Sequence, residues 1–226
     1  MRASGIILAA GRGVRFGGGK AFASLRGRPL LHWCVGAFVA SGAVGELVVV
    51  ARPGEEGQVT EALPEVRLPL RVVLGGERRQ DSARAGVEAA RGEYVLIHDV
   101  ARPLVSPELI RRVLAAAQEH GGAVPTIPVV DTVRYVDGRG LLRAEAVPRP
   151  GLVRIQTPQA FRRELLLSAL EHAERGGLSL PDDAAALLAL GMPVAAVPGD
   201  PRNLKITHPP DLKLAESLAA SINLAF

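Results

Sequence analysis

A glycine-rich segment near the start of the chain carries the clearest chemical signal. Five glycines lie between positions 11 and 19, and two cations, Arg15 and Lys20, belong to the same segment. Glycine lets the backbone approach a ligand closely, and backbone N–H groups together with cations bind phosphate. The segment is not a P-loop, because Ala21 follows the lysine, and not a dinucleotide fingerprint, because Phe16 replaces the third glycine. It predicts a polyphosphate cradle, with a solvated glycine turn as the alternative.

Two glycines also open a second polar loop, after the apolar run 72–74. Gly75 and Gly76 precede Asp81 and Ser82, and either of these two side chains can cap the helix predicted to follow. Capping alone would account for Ser82. The two glycines, however, leave backbone amides free to meet a base or a phosphate, so this loop is a second candidate contact for a nucleotide.

A carboxylate and a guanidinium follow the apolar run 94–97 in a third loop. Asp99 comes at the predicted end of this strand, and Arg102 lies three residues further on. A carboxylate oxygen suits Mg²⁺ bound to phosphates, and an arginine suits a phosphate oxygen. A purely structural ion pair between Asp99 and Arg102 is the alternative. His98 is interpreted as a packed, hydrogen-bonded core residue rather than a catalyst.

Lysine is scarce in this chain, and its positions carry information. Of the 27 basic residues, only Lys20, Lys205 and Lys213 are lysine. Two of the three fall in candidate phosphate sites, where a compact ammonium group can follow a moving phosphoryl group better than a flat guanidinium. The segment 204–207 is predicted to be a short strand whose alternation turns Lys205 away from its apolar neighbours. Chance placement of the lysines is the alternative.

Short apolar runs alternate with amphipathic stretches along the chain, which predicts a βαβ series. Several runs are continuous Val, Ile and Leu, as in parallel strands buried on both faces, so we predict a mostly parallel sheet with helices on both faces. Ligands bind such sheets beyond the carboxyl ends of the strands, where the loops above would meet. The strands are predicted to end at positions 10, 50, 74 and 98 and to span 123–130, 153–156, 194–197 and 204–207. The helices are predicted at 29–41, 55–63, 81–90, 107–120, 162–175, 182–190 and 210–221.

The segment 131–150 interrupts this alternation. It contains glycines, several charges and two prolines, and it shows no helical period. A turn at Asp137 and Gly138 predicts that the segment projects from the sheet as a β-hairpin arm. A flexible surface loop is the alternative.

Length and composition limit the class of protein. A chain of 226 residues with 48% hydrophobic and 22% charged residues is typical of one globular domain, spanning 1–226. The one cysteine, Cys34, lies among apolar residues, which favours a core thiol in a reducing compartment. No apolar run is long enough to cross a bilayer. We therefore expect a cytoplasmic protein with no membrane partner.

The net charge of +4 fits small phosphorylated ligands better than nucleic acid. The basic residues form no block, and aromatic residues make up only 4% of the chain, so platforms for base stacking are scarce. We expect no nucleic-acid partner.

Taken in order, these motifs resemble a known enzyme family. The chain is similar to the 2-C-methyl-D-erythritol 4-phosphate cytidylyltransferases of the non-mevalonate isoprenoid pathway, and the resemblance covers nearly its whole length. The motifs that carry it are Ala9-Ala10-Gly11 with Arg15 and Lys20, Gly75-Gly76 through Asp81-Ser82, His98-Asp99-Val100-Ala101-Arg102-Pro103, Asp131-Thr132, Thr157-Pro158-Gln159 and Asn203-Leu204-Lys205-Ile206-Thr207.

The resemblance implies a Rossmann-like nucleotidyltransferase fold and a homodimer joined by the arm at about 131–152. It implies transfer of a cytidylyl group from CTP to methylerythritol 4-phosphate, with Mg²⁺ on the CTP phosphates. The carboxylate chemistry described above makes Asp99 the candidate protein ligand of this ion. The residues that match CTP contacts are Ala9, Ala10, Gly11, Gly76 and Ser82, to which we add Gly13 and Asp81 from the same loops. The matching catalytic cations are Arg15, Lys20 and Lys205. The residues that match the second substrate's site are Asp99, Arg102, Thr132, Thr157 and Arg149, the last donated by the partner subunit.

Other functions remain open from the sequence. A cytidylyltransferase for another polyol phosphate, such as ribitol 5-phosphate, or a transferase using UTP or GTP would carry a similar cradle. A nucleotide-binding module without catalytic activity is an alternative of a different class.

Overall fold

The computed structural model of the protein describes residues 3–220. In this range the helices are α1 (Leu30–Ser41), α2 (Glu56–Ala62), α3 (Arg79–Ala89), α4 (Pro107–His120), α5 (Arg163–Arg175), α6 (Ala184–Ala189) and α7 (Pro209–Ala219). The strands are β1 (Ala3–Leu8), β2 (Ser24–Leu25), β3 (Arg28–Pro29), β4 (Val44–Ala51), β5 (Leu70–Leu74), β6 (Tyr94–Asp99), β7 (Gly122–Pro128), β8 (Arg134–Val136), β9 (Leu142–Ala146), β10 (Val153–Ile155), β11 (Gln159–Arg162) and β12 (Ala195–Pro198). Two short 3₁₀ turns, Val14–Phe16 and Lys20–Phe22, lie in the glycine-rich segment.

Eight of these strands form one sheet, in the order β10-β7-β11-β6-β1-β4-β5 with β12 also paired to β7. The pairs β1–β4, β1–β6, β4–β5 and β7–β12 are parallel. β10 and β11 run antiparallel to their neighbours. The prediction of a mostly parallel sheet is therefore confirmed.

Apolar side chains from both faces of the sheet form two core clusters. In β1, Ile7 packs in one cluster and Ile6 in the other, and every residue of the strand is buried. α1 and α4 cover the first face, while α3 and α5 cover the second. This double coverage explains why β1 is continuously apolar at its centre, since successive side chains point to opposite faces.

The hairpin predicted in the interrupting segment is present. β8 and β9 pair in antiparallel fashion, and the Asp137 carboxylate accepts N–H bonds from Arg139 and Leu141 in the turn between them. All residues of β8 and β9 are exposed.

Some predicted bounds were wrong. The segment 204–207 is not a strand: Ile206 donates one backbone bond to the Ala101 carbonyl, and no strand of the described chain pairs with the segment in register. β11 was missed because its four residues include none that are β-branched. β1 ends at Leu8 rather than position 10, and α6 is shorter than 182–190. α7 ends at Ala219, and position 221 of the predicted helix lies outside the described residues.

Cys34 is fully buried in α1, as expected of a core thiol. Within residues 3–220, no helix has the length and apolar character needed to span a membrane.

Candidate active site

Three loops enclose a cleft of about 600 Å³ at the carboxyl ends of β1, β5 and β6. The loops come together because these strands run parallel, so that their carboxyl ends share one edge of the sheet. Lys205 reaches the same cleft from far along the chain. The cleft is lined by these predicted site residues: Ala10, Gly11, Gly13, Arg15, Lys20, Gly76, Ser82, Asp99 and Lys205.

The glycine-rich segment folds back on itself. The Gly13 carbonyl accepts N–H bonds from Phe16, Gly17 and Gly18, and Gly13 and 17–19 all have positive φ. A Cβ atom on Gly13 would lie 3.4 Å from Cβ of Lys20. The left-handed glycines therefore let the chain return and place Lys20 beside the start of its own loop.

The second loop packs closely against the first. A Cβ atom on Gly75 would lie 2.6 Å from both the Ala10 Cβ and the Ser82 Oγ, so a larger residue there would push the two loops apart. Ser82 does not cap α3, because its hydroxyl contacts the carbonyls of Gly76 and Arg78 within the loop and first turn. Asp81 performs the capping instead.

α3 begins two residues earlier than predicted because Asp81 lies inside its first turn. The Asp81 carboxylate accepts the backbone N–H of Arg78 and pairs with that residue's guanidinium at 2.7 Å. This capping role accounts for the Asp81 side chain, which does not line the cleft.

Asp99 lies between two cations at the end of β6. Its Oδ2 accepts from Lys205 Nζ at 2.7 Å, and its Oδ1 accepts from Arg79 Nε at 3.1 Å. Burial would raise the pKa of Asp99, but Arg79 and Lys205 outweigh it and hold this pKa far below its usual range. The carboxylate is therefore ionised. Asp99 forms its ion pairs with Arg79 and Lys205 and not with Arg102, so the structure does not support the alternative of a structural pair between Asp99 and Arg102.

Positive charge accumulates around Lys20. Its Nζ donates to the Ile206 carbonyl at 3.0 Å, and within residues 3–220 no carboxylate forms an ion pair with it. Burial, followed by repulsion from Lys205 and Arg15, lowers the pKa of Lys20. Three cations from two distant parts of the chain thus act on one another electrostatically, and an anion entering the cleft would relieve their repulsion.

Known proteins share both the sequence and this architecture. The family model of 2-C-methyl-D-erythritol 4-phosphate cytidylyltransferase matches residues 4–221. The enzyme of that name from Thermus thermophilus is 46% identical over 220 residues, which cover 97% of this chain and 98% of that protein. The chain belongs to this family.

Other members of this family are similar to the chain in sequence and in structure. The Deinococcus radiodurans relative is 43% identical over 223 residues, covering 98% of this chain and 91% of its own. The crystal structure of the Thermus thermophilus enzyme superposes with a TM-score of 0.81 at 43% identity, covering 97% of this chain and 100% of that one. The 4-diphosphocytidyl-2C-methyl-D-erythritol synthase of Anaerococcus prevotii superposes with a TM-score of 0.85 at 26% identity, covering 97% and 98%. The Rossmann-like nucleotidyltransferase fold of these cytidylyltransferases is thus the fold of this chain.

The residues predicted to contact the second substrate of a cytidylyltransferase divide into two groups. Arg102 and Thr157 lie next to the cleft, where Arg102 donates to the Asn203 carbonyl at 2.8 Å and its buried Nε has no hydrogen-bond partner among residues 3–220. Thr132 and Arg149 lie on the exposed arm, where Arg149 donates to the Val130 carbonyl at 2.8 Å.

Ala9, predicted to contact CTP, is buried beneath the cleft and donates its N–H to the Val50 carbonyl. The described chain therefore brings most, but not all, of the predicted residues together.

A buried hydrogen-bond chain fixes the turn that follows β6. The Asp99 N–H donates to Thr157 Oγ1 at 3.1 Å, and this hydroxyl contacts His98 Nδ1 at 3.0 Å. His98 Nε2 lies 3.0 Å from the Arg102 carbonyl, which can only accept, so Nε2 carries the proton. Burial lowers the pKa of His98 to about 4, so the ring is neutral and Thr157 donates to Nδ1. His98 is a core residue, as predicted.

This neutral His98 makes stability depend on pH. The unfolded chain binds a proton near pH 6.5 and the folded chain only near pH 4, so stability is lost as pH falls through this interval. Between pH 7 and pH 5, His98 is expected to contribute a loss of roughly 2 kcal/mol in the free energy of unfolding. Urea titrations of His98→Gln should show a shallower pH slope than the wild type over this range. His120→Gln, at an exposed histidine, should keep the wild-type slope; an unchanged slope in His98→Gln would contradict the neutral assignment.

Sequence reasoning missed two contributors to this cytidylyltransferase site. Arg79 and Asp183 have no predicted role, although they meet in a bidentate ion pair beside Asp99. The only local signal was the position of Arg79 in the loop after Gly75-Gly76. Nothing in the sequence around Asp183 indicated its partner, because 104 residues separate the two.

Proposed function

We propose that this protein transfers the cytidylyl group of CTP to 2-C-methyl-D-erythritol 4-phosphate, giving 4-diphosphocytidyl-2-C-methyl-D-erythritol and pyrophosphate. The observation that carries the proposal is the convergence of Arg15, Lys20 and Lys205 on a glycine-lined cleft in a chain of this family. The glycine-rich loop and the 75–82 loop would hold the nucleotide, and the three cations would face its phosphates.

The acceptor supplies its own nucleophile. A phosphate monoester loses its second proton near pKa ~6, so it is mostly a dianion at pH 7 and needs no general base. One of its oxygens bonds to the α-phosphorus of CTP, and the bond from that phosphorus to the bridging oxygen of the β-phosphate breaks. The electron pair leaves with pyrophosphate. The neutral His98 and the buried Cys34, whose pKa burial raises, therefore need no part in the proton chemistry.

The chief barrier to this reaction is electrostatic, because one anion must approach another while charge grows on the leaving group. Lys20 and Lys205 are suited to reduce it, since each is a point charge at the wall of the cleft. Lys205 is already ordered by Asp99, so little reorganisation is needed when phosphates arrive. The site is thus organised before its substrates bind.

We also propose Mg²⁺ as the cofactor, carried on the CTP phosphates. Within residues 3–220, no group of three or more His, Cys, Asp or Glu side chains is arranged to hold a metal by itself. This donor set fits Mg²⁺, which is usually held by one or two carboxylates together with substrate phosphates. Two carboxylates, Glu77 and Asp99, line the cleft. Asp99 would hold the ion through lone pairs that its bonds from Arg79 and Lys205 leave free. When bound, Mg²⁺ would supply charge neutralisation at the phosphates.

We further propose that the arm joins two subunits in a homodimer. The arm exposes large apolar side chains, with Leu141 at 58% and Leu142 at 72% of full exposure, and its two-stranded hairpin contributes to neither of the described core clusters. An isolated hairpin is marginally stable, and exposed apolar patches mark interaction sites. In the proposed dimer the arm of one subunit covers the site of the other and contributes Arg149. We place the enzyme in the cytoplasm, which fits polyanionic reactants that cannot cross membranes unaided.

Release of pyrophosphate across a panel of substrates tests the proposed function. CTP with methylerythritol 4-phosphate and Mg²⁺ should give rapid release, and UTP, GTP or ribitol 5-phosphate should give much less. Faster release with ribitol 5-phosphate would move the assignment to another polyol phosphate. CTP binding without release for any acceptor would identify a non-catalytic nucleotide-binding module.

A further inference from the structure

Arg79 joins three elements at the wall of the cleft. It is the first residue of α3, and its Nε donates to Asp99 Oδ1 at the end of β6 at 3.1 Å. Its Nη1 and Nη2 donate to the two oxygens of Asp183, which directly precedes α6, at 2.9 and 2.8 Å. Each of its three nitrogens therefore donates a hydrogen bond to a carboxylate.

These contacts distinguish Arg79 from Lys20. Burial lowers the pKa of Arg79, but Asp183 and Asp99 more than offset this, and its pKa lies above the usual range. Lys20 is in the opposite situation, because burial and neighbouring cations lower its pKa. Among the described residues Lys20 therefore forms no ion pair with a carboxylate, whereas Arg79 is paired with two.

Asp183, which accepts from Arg79, is itself held firmly in place. The Asp183 side chain is 1% exposed, and the backbone N–H groups of Asp183 and Ala184 both donate to Gln159 Oε1 on β11. A bidentate arginine–carboxylate pair fixes both distance and orientation. Asp183 therefore anchors the guanidinium, and the guanidinium in turn fixes Oδ1 of Asp99, leaving Oδ2 to hold Lys205 Nζ at 2.7 Å.

We propose that Arg79 is a positioning residue of the cytidylyltransferase reaction, which acts through Asp99 to hold Lys205 at the phosphates and does not bind the nucleotide itself. The inference rests on the proposed function. In this proposal Asp183 fixes the guanidinium of Arg79, Arg79 fixes the carboxylate of Asp99, and Asp99 holds the ammonium group of Lys205.

Two variants separate positioning from folding. Arg79→Met alone would leave Asp183 buried and unpaired, which destabilises a protein strongly. The double variant Arg79→Met with Asp183→Asn removes both charges and avoids this cost. Arg79→Lys keeps the charge but lacks the fork that reaches both carboxylates. Arg84→Met is the matched control, because Arg84 lies on the same helix and pairs only with Glu88 and Glu174 among the described residues, away from the cleft.

We expect the double variant to remain folded and to lose roughly 10²-fold in kcat, with little change in KM for CTP, as a misplaced catalytic group would. Arg79→Lys should also lose kcat, and Arg84→Met should behave as the wild type. In a Lys205→Ala background, the double variant should cost little more, because both changes remove the same unit.

Several outcomes would overturn this inference. The first is a wild-type kcat in the double variant or in Arg79→Lys. The second is a rise in KM for CTP as large as the fall in kcat. The third is a loss of activity in the double variant that adds fully to the loss caused by Lys205→Ala. A wild-type protein that released no pyrophosphate would instead refute the proposed function, so the two failures are distinguishable.

Discussion

Lys205→Ala is expected to lower kcat by roughly 10² or more with the fold intact, because removing one donor that stabilises transition-state charge typically costs about 2.7 to 4 kcal/mol. Lys205 Nζ lies on the cleft, and Asp99 orders it at 2.7 Å. The fold should survive, since Asp99 keeps its pair with Arg79 and the Lys205 side chain is 43% exposed. Steady-state kinetics of pyrophosphate release and a thermal melt measure both quantities.

Lys213→Ala provides the control for this prediction. Lys213 is an exposed lysine on α7 that does not line the cleft, so its removal changes the net charge equally without touching the site. Activity near that of the wild type in Lys205→Ala would contradict the proposed role of Lys205, and an equal loss in Lys213→Ala would show that only overall charge matters.

Lys20→Ala and Arg149→Ala are each expected to be nearly inactive as homodimers but to recover activity in a mixed dimer. If the arm crosses between subunits, the mixed dimer has one site with both changes and one with neither. Co-expression with two different tags and purification through both should then give about half of the wild-type activity per dimer. The reason is geometric: Lys20 lies in the cleft of its own chain, whereas Arg149 lies on the exposed arm.

The reciprocal dimer is the matched control. When one chain carries both changes and its partner carries none, a crossing arm leaves each site with one defect, and activity should remain low. An arm that folds back on its own subunit gives the opposite pattern, with no recovery in the first dimer and about half activity in the second.

The sequence by itself determined the layers of the fold and the edge at which the site lies. Continuous apolar runs such as the one in β1 can be buried only if both faces of the sheet are covered, and parallel strands then collect their loops at one edge. The glycines of the first loop and the scarcity of lysine also marked Lys20 and Lys205 correctly as cleft residues. The arm was predictable because its turn chemistry is local.

Only the tertiary structure decided which charges are partners. Arg102 follows Asp99 by three residues, yet Asp99 pairs with Arg79 and Lys205, which lie 20 and 106 residues away along the chain. Lys205 reaches the cleft from a segment without a strand, held by the bond between Ile206 and Ala101. Local periodicity encodes which side chains are buried, because burial repeats with the helix or strand. Ion pairing depends on distances between atoms that only the assembled fold brings together, so no local pattern could reveal Asp183 as the partner of Arg79.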